Sequence, residues 1–460
     1  MPTECISSQY DFEGFDGRRV VAAFDGGALS SNAGALLLRH TDRAINLFRR
    51  VAACFTDHRD RALTVHPLHA MIAQRITGIA LGYEDIDDHD TLRFDPVLAL
   101  LSDRLQPKRA DCAALAGKST LNRLEHAPAW SPGRYHRIGH DASAIEGLFV
   151  DLFLDAHAKA PGRIVLDLDA TDDPIHGHQE GRFFHGYYDC YCYLPLYIFA
   201  GRHLLAAKLR RSNIDGAAGA VDEVERIVAH IRDRWPATRI VLRADGGFAR
   251  DELMSWCENN RVDYLFGLAR NKRLVAEIEG ELAEAQAEHL ETGEPARRLK
   301  DFMWTTLDSW SRRRRVVGKA EHLEKGTNPR FVVTSLKGDE YDARALYEDL
   351  YCQRGEMENR IKECQLDLFA DRTSAKSMRA NQLRLWFASF AYVLIDSLRR
   401  LGLKHSRLEA ATCGSIRLKL LKLAARVTLS VRRLKVSMAS AQPWKNEFAL
   451  AHARIRNAVH

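Results

Sequence analysis

The amino-acid sequence predicts an α/β fold: a mixed-sheet core interrupted by a β-rich insertion, with a helical N-terminal region and a helical, basic C-terminal region. Two observations carry this prediction. Strand-like and helix-like patterns alternate between residues 163 and 268, and strand-forming, basic composition returns before residue 340. The chain has 460 residues, of which 46% are hydrophobic and 28% charged. This is an ordinary soluble globular mix, and the chain is long enough for more than one domain.

The predicted core begins with a strand at 163–171, in which Val165, Asp167 and Asp169 share one face. The elements that follow are a hairpin of 192–200 and 203–210, a helix at 218–235, a strand at 238–245, a helix at 249–260 and a strand at 262–268. The first three strands can form an antiparallel meander, and the later ones alternate with helices as parallel crossovers require. This is the order of the ribonuclease H-like fold.

Helical periodicity dominates the N-terminal region, and the strand-like runs near 299–307, 314–322 and 330–335 predict an insertion folded as a small sheet. Helical patterns return at 342–369 and 377–401. We therefore predict five regions: 1–160, helical; 161–272, the first part of the core; 273–340, the insertion; 341–402, the second part of the core; and 403–460, the basic C-terminal region.

The charge distribution predicts a polyanionic partner. The net charge is +6, but fourteen Lys or Arg stand against two acids between Arg399 and His460, so the remainder is mildly acidic. A helix with a solvated lysine-rich face is the alternative. The N-terminus lacks a signal pattern, the apolar stretch 385–395 is too short to span a bilayer, and the nine cysteines are never spaced CxxC. We expect a cytoplasmic protein with reduced thiols and no membrane partner.

Three acids form the candidate catalytic site. Asp169 and Asp245 end two predicted strands, Asp245 is followed by two glycines, and Glu358 lies on a later helix. Strand ends are where open α/β sheets bind ligands, and three carboxylates together favour Mg²⁺, with Mn²⁺ as a substitute. Two such ions would clamp a phosphodiester. Asp167 points to the same side as Asp169 and is the alternative ligand.

These residues resemble a known family. The stretches around Asp169-Ala-Thr, Asp245-Gly-Gly-Phe and Tyr351…Arg354…Glu358 are similar to the three motifs of DDE transposases of bacterial insertion sequences, in the branch with an inserted β domain. The family signature has a lysine where Gln365 stands here, and Lys362, one helical turn after Glu358, is the alternative. Further stretches resemble the insertion-sequence thirteen-eighty family: 166–177, 83–93, 119–123 and 381–384.

The resemblance implies a metal-dependent DNA transposase that acts as a homodimer on double-stranded DNA in the bacterial cytoplasm. It would bind the terminal inverted repeats, cut the element ends, and join 3′-hydroxyls to target DNA. Asp169, Asp245 and Glu358 would be catalytic and bind the metal. The candidate DNA-binding residues are Tyr351, Arg354, Lys362, Trp310, Arg312, Arg313, Arg314 and Arg315. For Trp310, beside the basic run, core packing is the alternative, and Arg354 would contact the phosphate or orient Glu358.

Other patterns leave alternatives open. The acidic loop at 85–90 suits a metal ion or, more simply, helix capping. Five residues near one another could suggest zinc, but their spacing matches no structural zinc pattern: His176, His178, His185, Cys190 and Cys192. The aromatic run at 183–193 would line the core and cleft, or stack on an unpaired base. The rival functions are a nuclease without strand transfer and a non-catalytic, transposase-derived DNA-binding protein.

Overall fold

A computed structural model describes residues 9–105, 112–129 and 137–458. The chain divides into two compact units. The first combines Met1–Ala53, Asp57–Leu124 and Leu394–His460, and the second comprises Cys54–Thr56 and Glu125–Val393. The N-terminal and C-terminal regions therefore contribute to the same unit. No helix in these three described ranges is both long and apolar enough to cross a bilayer.

The first unit is mainly helical, as the periodicity predicts. Its helices include Leu36–Ile45, Leu47–Ala53, Leu68–Ala80, His89–Leu92, Pro96–Leu101, Cys413–Ile416, the π-helical Arg417–Leu421 and Lys445–Ala458. Its strands are Tyr10–Phe15 with Arg18–Ala22, and Leu29–Ser30 with Ala425–Leu429 and Leu434–Met438.

The C-terminal region, predicted as helical, is helical only in part. Residues 425–438 form an antiparallel hairpin, with Leu429 opposite Leu434. Val427, Thr428 and Val436 are β-branched, and such residues lose side-chain freedom in a helix and fit a strand. The prediction rests on the basic composition of this region and takes no account of these β-branched residues.

The second unit is built on one large mixed sheet. We number its strands β1 (Arg163–Ala170), β2 (Leu196–Ala200), β3 (His203–Lys208), β4 (Arg239–Ala244), β5 (Asp263–Leu268), β6 (Ala296–Trp304), β7 (Arg314–Leu323) and β8 (Arg330–Thr334). Their order across the sheet is β3-β2-β1-β4-β5-β8-β7-β6. The strands β1, β4 and β5 are parallel, β2 is antiparallel to both of its neighbours, and Gly326–Thr327 pairs with the end of β7. The antiparallel pairing expected for the first three strands and the parallel alignment expected for the later ones are both observed.

The insertion does not form a separate small sheet. Instead β8 pairs antiparallel with β5, with Leu265 opposite Thr334, and β7 and β6 extend the same sheet outward. Val332 and Val333 are fully buried in this arrangement. Strand β5 would otherwise present an unpaired edge, and pairing with β8 satisfies its backbone groups.

The predicted strand at 192–200 is divided in two. Strand β2 begins only at Leu196, because Pro195 lacks the N–H that a continuous ladder needs. The preceding Cys190–Tyr193 belongs to a separate three-stranded sheet with Asp173–Pro174 and Phe183–His185.

Helices cover both faces of the large sheet. Ala142–Asp155, Ala220–Arg234 and Asp251–Asn259 pack on the face that carries Leu166, Leu168, Ile240 and Leu242; Glu279–Thr292 lies against β6 and β7. The opposite face carries Val241 and Leu265 and is covered by Leu346 and Leu350. Lys118–Glu125 ends at the boundary of this unit, and Met378–Gly402 forms the long helix predicted at 377–401.

Candidate active site

The ends of β1 and β4 bring Asp169 and Asp245 side by side. In the parallel register Ala244 lies opposite Leu168, and each acid is the next residue along its strand. Neighbouring strands lie about 4.8 Å apart, and residues in equivalent positions point to the same face. Asp169 and Asp245 therefore stand together at one edge of the sheet, on the face that the helical segment 345–367 covers.

Burial and like charge act together on Asp169. Its side chain is 17% exposed. Burial, and then the nearby Asp245, raise the pKa of Asp169 to about 7, with Glu358 contributing in the same direction. Arg354 and a hydrogen bond from the Ala170 amide, 3.0 Å from Oδ1, oppose this shift. The raised pKa means that the ionised form of Asp169 is disfavoured here, and a bound cation would favour it.

Asp245 is fixed by the turn that follows it. Its Oδ1 accepts a hydrogen bond from the amide of Gly247 at 2.9 Å and so caps the short 3₁₀ turn Gly246–Phe248. A further glycine, Gly267 on β5, lies at the site. A Cβ on Gly267 would lie 2.5 Å from the hydroxyl of Tyr351, so glycine is needed there for Tyr351 to pack against the end of β5.

The segment that carries Glu358 is helical but irregular. It runs as a π-helix at Ala345–Tyr351, a 3₁₀ turn at Cys352–Arg354, an α-helix at Gly355–Lys362 and a second π-helix at Glu363–Asp367. Its predicted apolar positions are all buried: Leu346, Leu350, Met357 and Ile361. Wide π turns inside helices often occur at functional sites.

Arg354 contacts two acids on different elements, Glu358 on its own helical segment and Asp169 on β1. Its Nη2 donates a hydrogen bond to Glu358 Oε1 at 2.9 Å, and its Nη1 lies 3.8 Å from Asp169 Oδ2. A second contact links the guanidinium to Tyr351, whose pKa is raised first by burial and held down by Arg354. Tyr351, Arg354 and Glu358 therefore face the strand-end acids as one group.

Asp167 is excluded as an available ligand because it is already paired. Its two oxygens accept hydrogen bonds from Arg243 at 2.5 Å and 2.8 Å, and both side chains are buried. Arg243 also donates to the carbonyl of Leu350 at 2.5 Å. This buried pair thus ties β1, β4 and the Glu358 segment together. Sequence reasoning did not single out Arg243; an arginine within the apolar run Ile-Val-Leu-Arg-Ala was the available signal.

Gln365 stands at the position where the DDE transposase signature has a lysine. Gln365 turns inward and donates to the Asp172 carbonyl at 3.1 Å and to Asp173 Oδ1 at 3.0 Å. Asp173 is completely buried, and burial raises its pKa well above the usual range. Lys362 lies on the exposed side of the same segment, four residues after Glu358.

The basic run of the insertion does not form one exposed cluster. Arg314 is 3% exposed, with Asp251 at 2.6 Å and Glu258 at 2.7 Å, and Arg315 is bound to Asp301 and to two backbone carbonyls. The pleat of β7 alternates these side chains between faces. Arg314 and Arg315, which are predicted to bind DNA, are therefore engaged by partners within the protein.

Arg312 and Arg313 remain exposed at the start of that run. Trp310 is partly buried, stacks edge-on to the buried Trp304 at 5.2 Å, and carries the Arg314 guanidinium 5.5 Å above its ring. These contacts favour the core-packing interpretation of Trp310.

The acidic loop at 85–90 behaves as a structural element. His89 is fully buried with Nδ1 2.9 Å from Gln74, and burial lowers its pKa to about 3. Asp90 accepts a hydrogen bond from the Lys118 amide at 3.0 Å, which caps the helix Lys118–Glu125.

The described residues contain no cluster of three His, Cys, Asp or Glu side chains arranged around a common metal position. This applies to the zinc alternative and to Asp169, Asp245 and Glu358, between which Arg354 stands. The donor set of the three acids nevertheless suits a hard divalent ion, and the charge crowding at Asp169 is what such an ion would relieve. The acids therefore fit such an ion by their chemistry, while Arg354 lies between Asp169 and Glu358 in this structure.

Comparison with known proteins identifies the family. The sequence matches the family described as transposase DDE domain, group 1, over residues 12–460. A piggyBac transposase in a synaptic complex with hairpin DNA is structurally similar, with a TM-score of 0.43 and 12% identity over 84% of this chain and 79% of that chain. No curated protein sequence matches. Because the family match spans nearly the whole chain, this protein belongs to the group 1 family of DDE-domain transposases.

Proposed function

We propose that this protein is the transposase of a bacterial insertion sequence, similar to the insertion-sequence thirteen-eighty family. It binds the terminal inverted repeats, cleaves the ends of the element, and joins the 3′-hydroxyls to target DNA. One observation carries the proposal: Asp169 and Asp245 end neighbouring parallel strands, and Arg354 links Asp169 to Glu358. The order β3-β2-β1-β4-β5 supports a ribonuclease H-like core around them.

In this proposal Asp169, Asp245 and Glu358 hold two Mg²⁺ ions, with Mn²⁺ as a substitute. Ions held by these residues would supply activation of the attacking water or 3′-hydroxyl and stabilisation of the leaving oxygen. Arg354 exchanges its contacts with the carboxylates for the scissile phosphate, where a planar guanidinium binds two oxygens. Tyr351 positions Arg354. Lys362, Arg312 and Arg313 contact the DNA backbone, and a homodimer brings two ends together.

The proposal is tested with a plasmid in which a resistance marker lies between the DNA segments that flank this gene. Purified full-length protein and Mg²⁺ should nick at the element ends and then join them to a second plasmid. Asp169→Asn, Asp245→Asn and Glu358→Gln should each reduce both products by at least about a thousandfold, because each removes a charged donor.

Matched controls come from the same helical segment. Asp349 and Glu356 are exposed, so Asp349→Asn and Glu356→Gln should keep normal activity. Nicking without joining by the unaltered protein would favour the nuclease alternative. Equal products from the unaltered protein and the three acid variants would reject the catalytic assignment.

A further inference from the structure

A β-hairpin next to the candidate active site exposes aromatic rings to solvent. We call residues 182–193 the aromatic hairpin. Within it Phe184, Tyr187 and Tyr191 are 53%, 85% and 46% exposed. Single exposed rings are ordinary on protein surfaces, but a contiguous group indicates a binding surface.

The rings share a face with an arginine. Phe184 lies directly opposite Tyr191 in the antiparallel register, and their rings meet edge to face at 5.6 Å. Arg182 is two residues before Phe184, on the same side of the strand, and its guanidinium lies 4.4 Å from the centroid of Tyr191. One face of the hairpin therefore combines two exposed rings with a stacked cation.

The other face of the hairpin is anchored to the protein. Cys192 is fully buried, and the Phe183 carbonyl accepts a hydrogen bond from Ser212 Oγ at 2.9 Å. The main chain is also held at Tyr191, whose carbonyl accepts a hydrogen bond from the Ile175 amide at 2.7 Å. The exposed rings thus stand on a supported sheet, which limits the entropy that binding would cost.

The turn of the hairpin reaches the strand that carries Asp169. The hydroxyl of Tyr188 donates to the carbonyl of Ala170 at 3.3 Å. Burial, and then Asp172 and Asp169, raise the pKa of Tyr188 to about 12. Tyr187 packs edge-on against Tyr188 at 5.0 Å. Tyr187, the most exposed ring, is therefore linked through Tyr188 to Ala170, the residue that follows Asp169.

We propose that the aromatic hairpin binds unpaired bases of the DNA strand next to the bond that is cut or joined, an inference that rests on the proposed function. Paired bases in a duplex keep their faces stacked, so flat ring faces can bind only bases that have left the helix. Stacking on aromatic rings and on arginine is the usual way in which proteins bind such bases, and it tolerates any sequence.

The surrounding charge fits a nucleic-acid strand. Arg211 is exposed and lies against the base of the hairpin, because a Cβ on Gly181 would be 3.3 Å from its Cγ. Arg182 and Arg211 can therefore neutralise phosphates of a strand whose bases lie on Phe184 and Tyr191. The Tyr188–Ala170 hydrogen bond connects this hairpin with the end of β1, where the reacting phosphate is expected.

The test compares two short duplexes in Ca²⁺, which supports binding without cleavage. One is blunt, and the other has a single-stranded 5′ extension that contains 2-aminopurine, a base whose fluorescence falls on stacking. The full-length protein should bind the extended duplex about tenfold more tightly than the blunt one and quench its fluorescence. The double variant Phe184→Leu, Tyr191→Leu should lose the preference and the quenching while it binds the blunt duplex normally.

Phe94→Leu is the matched control, because Phe94 is 67% exposed and carries the Arg93 guanidinium at 4.9 Å in the helical unit. It should keep both effects. A double variant that retains the preference and the quenching would overturn the proposal. The proposal would also fail if the double variant changed its oligomeric state in light scattering while its quenching stayed unchanged, since the hairpin would then bind a second copy of this chain.

Failure of the proposed function gives a different result. Asp245→Asn should abolish cutting in Mg²⁺ and still quench 2-aminopurine in Ca²⁺. If the unaltered protein quenches the probe but never cuts the plasmid, the catalytic proposal fails and the base-binding surface stands. If it cuts and joins but neither prefers nor quenches the extended duplex, the hairpin inference alone fails.

Discussion

At the scale of single residues, the negative charges of the clustered acids are only partly compensated by neighbouring side chains. Asp169 has a raised pKa because it is buried beside Asp245, and Arg354 provides partial relief at 3.8 Å. Asp167, two residues earlier on the same strand, has a dedicated partner in Arg243. Neighbouring aspartates on one face of one strand thus have different roles because only one of them has an arginine opposite.

The raised pKa of Asp169 predicts a pH-dependent stability difference. The folded pKa of about 7 exceeds the ordinary aspartate pKa of 3.8, so ionisation of Asp169 destabilises the fold increasingly from pH 4 to pH 7 and fully above it. Without metal, Asp169→Asn should be about 2–4 kcal/mol more stable than the unaltered protein at pH 8. The difference should vanish near pH 4. Chemical denaturation in EDTA at the two pH values measures it.

Mg²⁺ provides the control for this prediction. Adding it at pH 8 should stabilise the unaltered protein more than Asp169→Asn, because binding to the native state adds to the free energy of unfolding. An Asn variant that is less stable than the unaltered protein at pH 8 would contradict the charge-crowding argument.

Arg313 and Arg314 provide a second residue-scale prediction. Arg314 is buried against Asp251 and Glu258, whereas Arg313 is exposed and donates to the Met303 carbonyl at 2.8 Å. Arg314→Ala should cost about 1–3 kcal/mol, because it removes charged hydrogen bonds to Asp251 and Glu258, which keep Ser311 and the more distant Arg312 among their other partners. Arg313→Ala should change stability by less than about 0.5 kcal/mol. Urea unfolding compares the two, and equal losses would contradict the assigned burial.

At the scale of elements, the Glu358 segment is held against the sheet by buried polar contacts as well as by its apolar face. The Leu350 carbonyl, in the π-helical turn, accepts from Arg243, which is also paired with Asp167. A π turn leaves its carbonyls differently spaced from those of an α-helix, and here one of them is directed at the strand. We therefore expect Arg243 to position the segment that carries Glu358.

This role predicts a separation between stability and activity. Arg243→Gln should cost about 3–5 kcal/mol by leaving Asp167 buried and unpaired. Asp167→Asn in the same chain should recover most of that stability, since both partners are then neutral. Joining activity should stay at least about tenfold below normal in the double variant, because the Leu350 anchor is altered.

The conservative variant Arg243→Lys sharpens this experiment. Lysine keeps the positive charge but cannot bind Asp167 and the Leu350 carbonyl together, as one planar guanidinium does. Relative to Arg243→Gln, Arg243→Lys should therefore recover more of the stability than of the joining activity. Full activity in the stable double variant would show that Arg243 has no positioning role.

At the scale of the whole molecule, positive charge is concentrated near the C-terminus. The hairpin at 425–438 carries four exposed cations and no acid: Arg426, Arg432, Arg433 and Lys435. Exposed cations on a short hairpin suit binding to DNA phosphates, and each phosphate that is neutralised releases counterions. The hairpin is thus an expected source of sequence-independent affinity.

Salt dependence tests this expectation. Replacing the four cations with glutamine should weaken DNA binding and reduce the slope of log K against log salt by about 0.9 for each phosphate that the variant no longer neutralises. The exposed Arg61 and Arg344 form the control pair, and glutamine there should leave the slope nearly unchanged. Filter binding at several salt concentrations measures the slopes, and an unchanged slope in the hairpin variant would exclude it from the DNA interface.

The sequence by itself determined the order of the first five sheet strands, the long helices and the placement of Asp169 and Asp245 at strand ends. These features depend on residues that are close along the chain, where periodicity and turn-forming residues are decisive. The identity of Glu358 as a candidate came from its motif with Tyr351 and Arg354, also a local pattern.

Only the tertiary structure decided which strands pair beyond that core and which charges are consumed by internal partners. The pairing of β5 with β8, the Asp167–Arg243 bond and the Arg314 contacts join residues separated by 56 to 76 positions. No local periodicity records such a contact, because its free energy comes from burial and charge compensation between distant segments. For the same physical reason the sequence does not show that Arg243 and Arg297, which lie on sheet strands, contact Leu350 and Glu348 of the helical segment that carries Glu358.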